Sequence, residues 1–214
     1  MRQLSMIREF WRELRGPVHP QDADVFARHR DHTFDLRFPP PAFIGDVDRA
    51  PIMVLMANGG FDPERTPLEF PDESAVRTYL DWLHDSENPP PHTLAQYYRA
   101  RTIGPWLERG VAAIVNAVAY RSTSLSKEPK NRKVAELLPS VVIHRKWLRD
   151  ELLPAAREGR RFVIVHRNGM WKVDRSQAGP GVLFSPNSIG ADPARITLNQ
   201  AAAWLQSRAI SQSA

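Results

Sequence analysis

The run Arg109–Ser122 (RGVAAIVNAVAYRS) constrains this chain more than any other stretch. From Gly110 to Tyr120 it carries no charge, and its residues are small, β-branched or aromatic. Without the alternation of a half-exposed strand, such a run reads as a strand buried on both faces, a position that parallel α/β sheets provide. Asn116 lies inside it. A buried amide must have its donors and acceptor satisfied, so it either ties neighbouring backbone together or offers hydrogen bonds to a ligand near the strand's carboxyl end.

Three further apolar runs read as strands: Pro51–Ala57, Arg161–His166 and Gly181–Phe184. Between them lie helical patterns. Ile7, Phe10, Trp11 and Leu14 share one face of a helix over 3–15, and a short helix follows over 22–29. Asp72 or Ser74 caps a helix carrying Val76, Leu80 and Leu83, and Thr93 with Gln96 has capping-box spacing. Ser140 caps a helix with Ile143, Trp147 and Leu148 inward, and Ala201, Trp204 and Leu205 mark the buried face of a last one over 198–207. The proline-stiffened stretch Phe38–Gly45 reads as a connector and the basic stretch Lys127–Lys133 as a loop. The expected fold class is therefore α/β, a three-layer sandwich around a central, mostly parallel four-stranded sheet. At 214 residues the chain can bury one good core, divided as an N-terminal helical and extended segment (1–50), an α/β domain (51–208) and a flexible tail (209–214).

In a parallel sheet the strand exits share one edge, where α/β folds place ligands. Here those exits are Asn58-Gly59-Gly60, Tyr120-Arg121-Ser122, His166-Arg167-Asn168 and Ser185-Pro186-Asn187. The glycine pair after Asn58 either brings backbone amides to a ligand or makes a turn that needs positive φ. It lacks the Lys-Ser/Thr of a P-loop and the third glycine of a dinucleotide fingerprint. Asp62 is the carboxylate near these exits, and no nucleophile–base pair is placed by spacing. His144 is read as a surface or cap residue. With no cysteine and scattered histidines, no metal and no cofactor are expected. No apolar run approaches a membrane span, so a cytoplasmic protein, monomeric and without a membrane partner, is expected. Net charge is +5, and residues 121–172 hold 13 Lys/Arg against 5 Asp/Glu. That concentration suits either a surface that meets phosphates or a solvated helix face.

The layout resembles the uracil-DNA glycosylase superfamily over most of residues 50–208. Met53–Phe61 is similar to the family's first strand and water-activating loop, and Phe70 to the aromatic residue that stacks on the flipped base. Trp106, Gly110-Val111 and Asn116-Ala117-Val118 resemble the segment whose Asn reads the base edge, and Phe184-Ser185-Pro186-Asn187-Ser188 with Thr197-Leu198-Asn199 resembles the closing Ser-Pro loop and helix start. The resemblance implies base flipping in DNA repair, with DNA as partner and N-glycosidic hydrolysis as the activity. It assigns Asn58 to the chemistry, Phe61, Phe70 and Asn116 to the base, and Arg121, Ser122, Arg167, Ser185 and Asn187 to the nucleic acid. The chain departs from the pattern where the chemistry lies: Gly59 stands at the carboxylate position, and Leu183 or Phe184 where the Ser-Pro loop opens with His. The expectation is thus a glycosylase-like protein of weak or divergent activity, or a non-catalytic nucleic-acid or small-ligand binding module on the same fold.

Overall fold

A computed structural model describes residues 4–84, 101–186 and 192–213. The expected helix over Thr93 and Gln96, and Asn187, lie outside the described residues. In chain order the main elements are α1 (Met6–Trp11), α2 (Ala23–Arg28), β1 (Phe43–Ile44), β2 (Ile52–Gly60), α3 (Thr66–Glu69) and α4 (Glu73–His84). There follow α5 (Gly104–Glu108), β3 (Ala112–Ser122), α6 (Pro129–Ala135), α7 (Pro139–Trp147), α8 (Leu153–Arg157), β4 (Phe162–Val165), β5 (Val182–Phe184) and α9 (Arg195–Ser213).

The described strands form one sheet in the order β1-β3-β2-β4-β5, and β3 is buried at every position. β2 pairs with β3 and β4 in parallel, as does β4 with β5. Alternate side chains feed two apolar layers. Ala113, Val115, Met53, Leu55, Val163 and Val165 meet Trp11 of α1, Tyr79 and Trp82 of α4 and Val141 of α7. Ala112, Ile114, Ile52, Val54, Phe162 and Ile164 meet Leu198 and Ala201 of α9 and Trp106 of α5. A sheet sandwiched this way needs apolar residues on both faces, which is why its strands are continuous rather than alternating.

The sheet has five strands rather than the expected four. The extra one, β1, comes from the stretch read as a connector and pairs antiparallel with β3, Phe43 opposite Val115. Asn116 fixes its approach: its N–H donates to Ala42 O at 2.9 Å and its Nδ2 to Pro41 O at 2.6 Å. Residues before 50 therefore complete the sheet as well as packing on it. Two other expectations are corrected. Lys127–Lys133 is largely helical in α6, where Pro129 supplies the preset φ of a first helical turn. The final helix begins earlier than 198, at Arg195, and extends past 207 to Ser213, with no glycine or proline to interrupt it.

His144 is neither a surface nor a cap residue. It is fully buried, accepting from Trp11 Nε1 at 2.7 Å on Nε2 and donating from Nδ1 to Asn116 O at 2.7 Å. Burial pulls its pKa down to about 4, so the ring is neutral and links α1, α7 and β3.

Candidate functional site

The site forms where β2 and β3 run out together. Their register is regular from Ile52↔Ala112 to Asn58↔Val118, then jumps so that Gly59 faces Arg121 and Gly60 faces Ser122. β3 thus carries Ala119 and Tyr120 as extra residues in a bulge, a device that re-aims side chains at a strand's end. Gly59 is required by this crowding: a Cβ there would lie 2.5 Å from Ala119 O and 2.9 Å from Pro41 Cγ. Neither glycine of the pair has positive φ. Gly59 serves close backbone packing, whereas a Cβ at Gly60 would meet nothing within 4 Å, and the turn-geometry alternative does not hold.

Beyond the bulge opens a cleft of about 500 Å³ whose lining includes Asn58, Phe61, Arg65, Arg121, Ser124 and Arg167. Its residues come from the ends of β2 and β3, the exit of β4 and the start of α3. Asn58 is positioned by Ser122: Nδ2 donates to Ser122 Oγ at 3.0 Å, to Ser122 O at 3.3 Å and to Gly59 O at 2.8 Å. All these bonds use the amide nitrogen. The carbonyl oxygen remains as an acceptor that can orient a water or a ligand N–H, although it cannot take a proton.

Arg121 forms part of the cleft wall and is held on its inner side. Nη2 pairs with Glu69 Oε2 at 2.6 Å, Nη1 donates to Gly60 O at 3.2 Å, and the guanidinium lies over the Phe70 ring. Asp62 is also engaged. Its Oδ1 accepts from the backbone N–H groups of Glu64 and Arg65 at 2.9 and 3.0 Å, which hold the carboxyl below its usual range. These are the carboxylates of the cleft lining among the described residues, and neither is set up as a general base.

Of the residues singled out from sequence, Asn58, Phe61, Arg121 and Arg167 meet at this cleft, and Ser122 supports Asn58 from beneath. Phe70 does not line it: the ring is buried against Phe38, Tyr79 and Arg121, so the expected stacking role is corrected to a core role. Asn116 is corrected likewise. It has no exposed surface and spends its amide nitrogen on Pro41, behind the cleft rather than in it. Ser185 accepts Ala194 N–H at 2.8 Å at the approach to α9, a structural contact outside the cleft lining. Four of the basic side chains of 121–172 are paired within the segment, Arg145 and Lys172 with Glu136 and Lys146 and Arg149 with Asp150.

Sequence reasoning missed Arg65 and Thr66. Asp62 and Thr66 bond reciprocally through side chain and backbone, so the signal was Asp62 capping a turn whose third residue is an arginine. The Ser124 and Ser126 hydroxyls carried a signal too, the Ser-Thr-Ser-Leu-Ser run just past the central strand. Among the described residues, no group of three or more His, Asp or Glu could hold a metal ion, and no helix is long and apolar enough to cross a membrane. No family model matches the chain, and searches of curated proteins and of solved structures find no significant match.

Proposed function

We propose that the cleft at the carboxyl edge of the sheet binds a nucleobase-bearing, phosphate-containing ligand, DNA first, and that the chain is a uracil-DNA glycosylase-like binder with weak or absent hydrolysis. The observation that carries this reading is the convergence of an oriented amide (Asn58), an accessible aromatic ring (Phe61) and two cations that reach the cleft (Arg65 and Arg167). A nucleobase needs a hydrogen-bonding edge and a stacking face, and its phosphate needs positive charge.

The place also fits the general rule for open α/β sheets. Strand order runs from β2 to β3 on one side and to β4 and β5 on the other, so the direction of winding reverses beside β2. Ligands bind in the crevice outside the carboxyl ends at such a switch point. Asn58 ends one strand flanking it, and Arg167 follows the other.

Binding is favoured over hydrolysis by the state of the carboxylates. Glu69 is committed to Arg121 and Asp62 to backbone amides, which leaves Asn58 to position a water without accepting its proton. Each charge-stabilising group missing from a glycosylase site costs roughly 2.7–4 kcal/mol, about 10²–10³ in rate. The test is incubation of the protein and Asn58→Ala with oligonucleotides carrying uracil, hypoxanthine, xanthine or a mismatch, read for retention and for abasic sites. Retention that weakens in the variant, with little or no cleavage, supports the reading. Absence of retention on every oligonucleotide rejects it.

A further inference from the structure

Phe61 lines two clefts at once. Besides the main one, it borders a second of about 510 Å³ lined by Thr33, Phe34, Leu36, Arg37, Ser122 and Thr123, among others. Thr123 also lines both, so the clefts meet along a ridge made by these two residues. Each is of the size that holds a drug-sized ligand, about 300–1,000 Å³.

The ridge is rigidly mounted. Phe61 N–H donates to Ser122 O at 3.1 Å and Asp35 N–H to the neighbouring Arg121 O at 2.9 Å, so three backbone segments lie side by side across the end of β3. Arg37 completes the platform. Its guanidinium lies 5.7 Å from the Phe61 ring centroid while pairing with Asp35, and its side chain is 69% exposed. Arg37 lines the second cleft and not the first, which places the cation on the second cleft's side of the ring.

Building on the reading above, we infer that Phe61 separates two successive bases of a single strand, one seated in the main cleft and its neighbour in the second beside Arg37. The occupant is then a single-stranded oligonucleotide of at least two residues rather than a mononucleotide or an intact duplex. An aromatic ridge with a cation beside it is the combination that gathers unpaired bases without base specificity. A duplex can use it only after unstacking a step.

The experiment is calorimetric titration with unlabelled oligo-dT and oligo-dA of one, two, four and eight residues and with a blunt hairpin duplex. The wild-type protein is compared with Phe61→Ala, Phe61→Trp and Arg37→Ala, each checked for folding by circular dichroism. The expected result is a gain of ten-fold or more from one residue to two, and single strands binding more tightly than the duplex. Phe61→Ala should reduce dinucleotide affinity between about five-fold and about a hundred-fold. Phe61→Trp should retain the one-to-two gain, and Arg37→Ala should reduce it. Mononucleotide binding without that gain, or duplex binding equal to single-strand binding, overturns this inference and leaves the cleft's assignment standing. No binding by any probe overturns the assignment itself.

Discussion

Removing the carboxylate of Glu69 should destabilise the whole domain as well as the cleft. Its side chain is 7% exposed and that of Arg121 4%, and the two are joined at 2.6 Å. Arg121 Nε has no hydrogen-bond partner, so the guanidinium already depends on Glu69 and the Gly60 carbonyl for its compensation. Glu69→Ala leaves a buried, unpaired cation, and breaking a buried pair from one side costs about 3–5 kcal/mol. For a chain of this size, with about 2–4 °C lost per kcal/mol, the melting temperature should fall by roughly 6–20 °C. The double variant Glu69→Leu/Arg121→Met, which removes both charges while keeping apolar bulk, should recover most of that loss. Differential scanning calorimetry on the wild type, the single and the double variants reads all three. A Glu69→Ala melting temperature within 2 °C of wild type, an order-of-magnitude threshold set well below that range, would refute the buried pair as a support of the cleft wall.

Gly59→Ala should cost about 1–3 kcal/mol by overpacking against Ala119 O and Pro41, whereas Gly60→Ala, with nothing within 4 Å, should be tolerated; urea melts compare them. The pKa of His144, lowered to about 4, sets a pH dependence. The unfolded chain binds a proton there near pH 6.5 and the folded one does not, so stability is full above pH 6.5 and declines as pH falls toward 4, by about 3 kcal/mol. Urea midpoints at pH 4.5 and 7 should differ less in His144→Gln than in the wild type; an unchanged difference would remove His144 as its source. Asn116→Ala should lower stability by about 1–3 kcal/mol through the unpaired Pro41 carbonyl while nucleotide affinity changes little, and a loss of binding in a stable variant would contradict its structural role. If Arg65 and Arg167 each neutralise one phosphate, single-strand affinity should fall about seven-fold between 50 and 200 mM salt; a flat response would exclude those contacts.

The sheet was legible because buried strands are written in charge-free, largely apolar runs, and Ile52–Ala57, Ala112–Tyr120 (with Asn116 as its one polar residue) and Phe162–Val165 are such runs. β1 was not, since two residues carry no period and its place depends on Asn116, more than seventy positions away. The site was half legible for a related reason. Strand order places the exits on one edge, so Asn58, Arg121, Ser122 and Arg167 could be named without knowing any contact. Which side chains then face the cleft depends on register, bulge and neighbouring loops. Asn116 sits three residues before the first bulged residue, Ala119, opposite Met56, and is sealed behind Pro41. Phe70 follows α3 and turns inward to Tyr79, whereas Phe61, at the end of β2, stays at the mouth. His144 was misread because the face of a helix that a lone polar residue joins is set by its partners. Those partners, Trp11 and the Asn116 carbonyl, are distant in sequence.

The most direct test of the cleft as the binding site is amide hydrogen exchange with and without a saturating single-stranded oligonucleotide. Slowed exchange is expected over residues 33–37, 58–66, 121–126 and 167–168, which line the two clefts or adjoin them, diminished in Asn58→Ala, with little change around Asn116 and Ser185. Protection centred instead on α6 and α7, with the strand ends unaffected, would contradict it.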